Sequence, residues 1–135
     1  MGDLKYLSRD EILGAFDIMR EDVAVPEWGG KVCVQGMTGA QRDAFEAEIV
    51  QGRGKDRSVN LQNIRAKLVA RTVVDPESGV PLFSEEDIKA LGKKSAKALA
   101  RVYDVAARLS GISDKDAEEL AGNSDDDPSG GSTSD

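Results

Sequence analysis

The side chains able to do chemistry are few in this chain of 135 residues. Histidine is absent, which removes the commonest general base and the imidazole metal ligand. Cys33 is the single cysteine, so it can form neither an intrachain disulfide nor a thiolate zinc site. Because Cys33 lies between Val32 and Val34, we interpret it as a small buried hydrophobic residue.

The remaining chemical motifs also lack the spacing that their chemistry needs. The segment Gly52-Arg53-Gly54-Lys55 has neither the spacing of a phosphate-binding loop nor the Ser or Thr that follows its lysine. Asp125-Asp126-Asp127 lacks the glycine-turn spacing of a calcium loop. Carboxylate pairs such as Glu85-Glu86 are typical of solvated helix faces. We therefore predict no catalytic, cofactor-binding or metal site, and a protein that is not an enzyme.

Basic residues concentrate in one stretch, which has two interpretations. The stretch runs from Arg53 to Arg71 and contains Arg53, Lys55, Arg57, Arg65, Lys67 and Arg71. It is either a solvated loop and helix face or a nucleic-acid contact, but no stacking aromatic residues interleave with the charges. The net charge of −7 also disfavours general affinity for phosphate backbones. We predict no nucleic-acid partner; the alternative is a small regulatory protein that binds nucleic acid through Arg53–Arg71.

Helix-start signals divide the chain into several short helices. Ser8 with Glu11, and Thr38 with Gln41, match the capping box that opens a helix. Further helices are predicted over 60–71, from Ser84 to Gly92, over 95–110 and over 113–121. The strongest apolar stripe lies on the 95–110 helix, where we expect four residues to be buried: Leu99, Val102, Ala106 and Leu109.

The first helix is expected to carry one apolar face. Ile12, Leu13, Phe16 and Met19 recur at helical spacing after Ser8. Such a face packs either on the domain itself or on a partner protein. Packing on the domain is the default expectation.

Alternating apolar residues predict short strands between the helices. Val23 and Val25, then Val32 and Val34, flank a glycine-rich turn and indicate a β-hairpin. Trp28 lies in that turn, either as a partner contact or as a cap over the core. A second hairpin is predicted from three consecutive segments, Val73-Val74, the turn Asp75 to Gly79, and Val80 to Phe83. Residues 51–57 are glycine-rich and charged, and are expected to form a mobile loop.

These elements predict an α+β fold. We expect a mostly helical single domain over residues 1–121 with one or two short β-hairpins, followed by a disordered acidic Ser/Gly tail over 122–135. The N-terminus has no signal-peptide pattern, and no apolar run approaches the roughly 20 residues that span a bilayer. We therefore expect a cytoplasmic protein with no membrane partner.

Two blocks of sequence resemble a known family. The first comprises Val25-Pro26-Glu27-Trp28-Gly29-Gly30-Lys31-Val32 and then Met37-Thr38-Gly39-Ala40-Gln41-Arg42-Asp43-Ala44-Phe45-Glu46. The second comprises Gly79-Val80-Pro81-Leu82-Phe83-Ser84-Glu85-Glu86-Asp87-Ile88, Leu91 to Ser95, and Asp104 to Gly111. In order and spacing these blocks resemble the tail assembly chaperones of long-tailed, siphovirus-type bacteriophages and prophages. The resemblance covers roughly Asp10 to Leu120.

The resemblance implies a non-enzymatic assembly factor. Members of this family bind the phage tape measure protein, keep it soluble and recruit tail tube protein around it. They act in the host cytoplasm, are absent from the mature virion, and some self-associate, so that a homo-oligomer is one expected state. Many exist in a second, longer form made by a translational frameshift. As partner-binding residues we expect Trp28 first, with Phe16 and Met19 as second choices.

Overall fold

An antiparallel hairpin lies at the centre of the fold. The computed structural model describes residues 4–51, 58–59 and 63–112. Strand β1 (Arg20–Val25) pairs with β2 (Gly30–Gln35), in a register that runs from Arg20↔Gln35 to Val25↔Gly30. A 3₁₀ turn (Pro26–Trp28) and Gly29 connect them, and Gly29 adopts φ +77°, a left-handed conformation that glycine accepts without strain. The predicted first hairpin is confirmed.

The remaining elements surround this hairpin. In chain order the structure contains α1 (Arg9–Leu13), α2 (Gly39–Ile49), β3 (Val50–Gln51), β4 (Ser58–Val59), α3 (Ile64–Thr72), β5 (Val73–Val74), α4 (Ile88–Leu91) and α5 (Ala96–Leu109). β5 pairs with β2, which gives a three-stranded antiparallel sheet in the order β1-β2-β5. β3 and β4 form a separate antiparallel pair. The predicted α+β class is confirmed.

Helix α5 provides the largest part of the core. It packs against β1, β2 and α3, and its buried side chains are Ala98, Leu99, Val102, Ala106 and Ala107. Phe45 and Ile49 from α2, and Leu68 and Val69 from α3, complete an almost entirely aliphatic cluster. Leu109 is only half-buried because it lies at the last turn of α5, so the expectation that it is fully buried is wrong.

The second predicted hairpin is reduced to a turn with one bridge. Asp75 organises the turn, since its carboxylate accepts hydrogen bonds from the backbone N–H groups of Glu77 and Ser78 at 3.1 and 2.8 Å. Only Val74↔Pro81 pairs beyond it. This bridge consists of hydrogen bonds from Leu82 N–H to the Val73 carbonyl at 3.0 Å and from Asp75 N–H to the Val80 carbonyl at 2.8 Å. The N–H of Val73 is already bonded to the Val69 carbonyl at the end of α3, so it is not available to extend the ladder to Leu82.

The first helix is much shorter than its apolar pattern indicates. The Ser8–Glu11 capping box is present, but Gly14 already caps the helix after Leu13. Phe16 and Met19 therefore lie beyond the helix, and the predicted continuous face does not form. Packing of this face on the domain, the default expectation, is wrong: Ile12, Leu13, Phe16 and Met19 are all exposed.

The other predicted boundaries are largely confirmed. The Thr38 capping box opens α2, Gly92 ends α4, and Gly111 follows α5 with φ +77°. α3 begins at Ile64 instead of residue 60. Gln51, expected in a loop, lies in β3. The rest of that loop, the 113–121 helix and the acidic tail over 122–135 fall outside the described residues.

The burial of α5 leads to a stability prediction with an internal control. Leu99 is 5% exposed, whereas Leu109 on the same helix is half-buried. Leu99→Ala is expected to lower the free energy of unfolding by about 2–5 kcal/mol, because it leaves a cavity in the core. Leu109→Ala makes the same change in helix propensity, but it should lower the free energy of unfolding distinctly less. Urea unfolding of both variants measures the difference; equal losses would contradict the assigned packing.

Candidate partner-binding surface

Among the described residues, exposed large apolar side chains concentrate between Leu4 and Met19. We call residues Leu4–Met19 the arm; every one of them is exposed. Ten large hydrophobic side chains of the described residues are exposed, and the arm carries eight of them: Leu4, Tyr6, Leu7, Ile12, Leu13, Phe16, Ile18 and Met19. Large apolar patches on a soluble protein mark interaction sites. The arm is therefore the leading candidate for a partner-binding surface.

Local polar contacts give the arm its own structure, and a backbone hydrogen bond at Met19 joins its base to the hairpin. Glu11 accepts hydrogen bonds from the Ser8 backbone N–H at 2.9 Å and from Lys5 Nζ at 2.6 Å. The Lys5 ammonium and the Ser8 N–H lower the pKa of the Glu11 carboxyl. At the base of the arm, the carbonyl oxygen of Met19 accepts a hydrogen bond from Gly36 N–H at 2.9 Å. The capped helix thus holds Ile12 and Leu13 in place while they remain exposed.

Trp28 occupies a different position from the other two predicted contacts. It is half-buried and packs against the hydrophobic core beside the hairpin turn. Phe16 and Met19 are together on the arm, which joins β1 at Arg20, the opposite end of the strand. At about 3.3 Å per residue, β1 separates the two ends by roughly 17 Å. The structure therefore places Phe16 and Met19 on one exposed segment and Trp28 at the far end of β1, where its packing on the core gives it a structural role.

Two ion pairs join α5 to the hairpin, one at the turn after β1 and one within β1. Arg101 donates to Glu27 at 3.0 Å beside the Trp28 turn, and Arg108 donates to Glu21 at 2.8 Å near the arm. The Arg101 hydrogen bond is the largest cause of a lowered pKa at the Glu27 carboxyl. Both arginines are thereby engaged in contacts within the protein.

The predicted basic stretch does not form a continuous array. Arg71 lies between two carboxylates, with Glu48 at 2.7 Å and Glu85 at 2.9 Å, and its side chain is only 25% exposed. Burial alone would lower the pKa of Arg71, but the hydrogen bonds and charges of Glu48 and Glu85 outweigh burial and raise it. The Arg65 guanidinium lies 5.5 Å above the Tyr103 ring. Arg53, Lys55 and Arg57 fall outside the described residues.

A second exposed apolar site lies next to the turn where the second hairpin was predicted. A groove of about 310 Å³ is lined by Leu82, Phe83, Asp87, Ala90, Leu91 and Lys94. Sequence reasoning missed it because Val80 to Phe83 were placed in a strand. Pro81 was the available signal, because a proline within a short apolar run places that run at the edge of a sheet, where one side of the strand stays unpaired.

Metal-ligand clusters and membrane-spanning helices are absent from the described residues. Within residues 4–51, 58–59 and 63–112, no three Cys, Asp or Glu side chains are grouped in a way that would hold a metal ion. No helix in the same part of the chain is both long and apolar enough to cross a membrane.

Comparison with known proteins gives one match. A family model described as "Phage tail assembly chaperone" matches residues 12–123. That range includes Phe16, Met19, the hairpin, the groove and α5. No curated protein matches significantly, and no solved structure does.

Substitutions at the three predicted contact residues test their different burial, because only a buried side chain stabilises the fold. Trp28→Ala is expected to lower the midpoint of thermal unfolding, because it removes a ring that packs on the core. Phe16→Ser and Met19→Ser should leave the midpoint nearly unchanged, because both side chains are exposed. Circular dichroism melting of the three variants checks this. Destabilisation by Phe16→Ser comparable to that by Trp28→Ala would show that the arm packs on the domain.

The Glu27–Arg101 ion pair makes the stability of the folded protein depend on pH. The folded state holds the pKa of Glu27 below its ordinary value of 4.5. The pair therefore contributes stability above pH 4.5, and that contribution is lost as pH falls through the lowered pKa. Glu27→Gln should lower the unfolding midpoint at neutral pH and lose this effect well below pH 4.5. Glu86→Gln is the control, since Glu86 has no ion pair among the described residues. A Glu27→Gln effect independent of pH would contradict the assignment.

Proposed function

Because the matched segment covers most of its length, the chain belongs to the phage tail assembly chaperone family, and we propose that it binds the tape measure protein during tail morphogenesis. In this role it keeps the tape measure protein soluble and recruits tail tube subunits around it. It acts without catalysis, in the host cytoplasm, and is not retained in the mature virion. Family membership suggests the non-enzymatic role.

The exposed arm is the observation that carries the proposed mode of binding. A long helix with an apolar stripe aggregates unless a partner covers the stripe, and complementary apolar side chains on a second protein provide such a cover. Phe16 and Met19 lie on the arm with their side chains exposed. Burying them against a partner removes apolar surface from water at about 25 cal/mol per Å². We propose Phe16 and Met19 as the primary contacts of the tape measure protein.

Trp28 fits this proposal as a secondary contact. It is half-buried against the core, so only part of its side chain is available to a partner. A partner helix laid along β1 spans the roughly 17 Å between the arm and the Trp28 turn with about 11 residues. A rod-shaped partner is therefore long enough to contact both ends of the hairpin at once.

The position of Arg71 disfavours the nucleic-acid alternative. Counterion release requires cations that are free to meet phosphates. Arg71 is already paired with Glu48 and Glu85, and Arg65 stacks over Tyr103. Among the described members of the Arg53–Arg71 stretch, two of three are thus occupied within the protein. We propose no nucleic-acid partner.

Co-expression with the phage tape measure protein tests the proposal. The double variant Phe16→Ser/Met19→Ser should weaken the complex by about 2 kcal/mol or more, as loss of an interface hot spot does. Less tape measure protein should then remain soluble and co-purify. The control is Val80→Ser, an exposed apolar residue outside the arm, which should bind normally. If the tape measure protein is equally soluble without the chain and the two proteins do not co-elute, the proposed function is wrong.

A further inference from the structure

The outer edge of β1 is an open edge of the sheet. Among the described strands, β1 pairs with β2 alone. Met19 and Gly36 extend this register by one pair, and the Gly36 N–H donates to the Met19 carbonyl at 2.9 Å. Because bonded pairs alternate along an antiparallel ladder, the backbone N–H and C=O groups of Arg20, Asp22 and Ala24 point away from β2. No backbone hydrogen bond among the described residues satisfies these outward groups.

The charged side chains on this edge are turned away from it. Arg20 donates to Gln35 Oε1 of β2 at 2.7 Å, and Asp22 forms an ion pair with Lys31 of β2 at 3.2 Å. Both side chains therefore extend over the sheet towards β2, while Ala24 has only a methyl group. Native sheets commonly protect an open edge with proline, a bulge or outward charges. β1 contains no proline, and its register with β2 runs without a bulge.

Helix α5 provides an apolar surface beside this edge. Arg101, Val105 and Arg108 share one flank of α5, because they are spaced at i, i+4 and i+7. The two arginines bond to Glu27 and Glu21 of the hairpin, so this flank lies along β1. Val105, between them, packs against the core but is only half-buried. A chain segment beside β1 is therefore able to pair its backbone and to cover an apolar side chain of α5.

An extended chain is able to pair with the edge, whereas a helix is not. An α-helix bonds its own N–H and C=O groups internally, so the helical tape measure protein proposed for the arm leaves the edge unpaired. We propose that an extended segment of the tail tube subunit adds to β1 as a fourth strand of the sheet. The identity of this partner rests on the proposed function, which includes recruitment of tail tube subunits.

The edge also specifies the side-chain pattern of this segment. Successive side chains of a strand point to opposite faces of the sheet. Those beside Val23 and Val25 lie on the face that α5 covers and contact Val105, so they are apolar. Those beside Asp22 and Ala24 lie on the opposite face, where both residues are exposed, so they are polar. Main-chain hydrogen bonds supply the affinity and this alternation supplies the specificity, as in other cases of strand addition.

Proline at position 24 tests the edge without breaking the hairpin. The Ala24 N–H points away from β2, so Ala24→Pro removes one outward donor and leaves the β1–β2 ladder intact. Titration calorimetry should show that purified tail tube subunit binds this variant roughly tenfold more weakly or worse, because a carbonyl group of the segment loses its donor. Ala24→Thr is the matched control: it keeps the N–H and should bind like the unmodified chain. Tape measure protein should co-purify equally with both variants, because its proposed contacts lie on the arm.

Residue-resolved amide exchange of the unmodified chain gives a second measurement, without any substitution. In the free chain the amides of Val23 and Val25 should exchange slowly and those of Asp22 and Ala24 fast, because only the first two bond to β2. Adding tail tube subunit should slow the exchange of Asp22 and Ala24.

Several outcomes would overturn this inference. Unchanged binding of tail tube subunit to Ala24→Pro, with circular dichroism showing that the variant is folded, means that the edge is not paired. Tail tube subunit that does not bind the unmodified chain, or that leaves Asp22 and Ala24 exchanging fast, is not the occupant. Loss of tape measure protein, but not of tail tube subunit, from Ala24→Pro assigns the edge to the tape measure protein. The proposed tape measure contact fails on a different result, a tape measure protein that is equally soluble alone and does not co-elute with the chain.

Discussion

The packing of α5 across the β1–β2 hairpin is the interaction on which the rest of the structure depends. The stripe of Leu99, Val102 and Ala106 fills the space between the sheet and α3. The backbone at Gly36 approaches the last turn of α5 very closely. A Cβ atom on Gly36 would lie 2.5 Å from the Leu109 carbonyl oxygen. Ser110 Oγ there accepts a hydrogen bond from Met37 N–H at 3.0 Å. Glycine is thus required at position 36, and the start of α2 is fixed relative to the sheet.

This compact aliphatic core explains why the arm is left outside. The helices α2, α3, α4 and α5 supply enough small and branched side chains to cover the sheet without help from the N-terminal residues. The arm lies outside this core, although it carries eight large hydrophobic side chains. Exposed apolar side chains on a capped, locally ordered segment are therefore better understood as a reserved binding surface than as an unfinished part of the fold.

Local signals in the sequence predicted much of this architecture, and long-range packing accounts for what they missed. The capping boxes at Ser8 and Thr38 involve residues three positions apart, so they are visible in the sequence. Whether the arm is buried or exposed depends on whether it fits on the core. The spacing of apolar residues in the sequence does not contain this information. Arg71 appeared part of a basic stretch because its partners, Glu48 and Glu85, lie 23 and 14 positions away. Trp28 was expected first among the partner contacts, but it packs on the core. This packing is long-range, so the sequence around Trp28 does not show it.

The central claim is that the arm is the surface through which this phage tail assembly chaperone holds its partner. Amide hydrogen exchange of the chain, free and bound to tape measure protein, tests this most directly, because burial of a segment slows the exchange of its amides. The account predicts strong new protection within residues 4–19 and little change in α5, which is already buried. Protection confined to other surfaces, with the arm exchanging as fast in the complex as in the free chain, would contradict it.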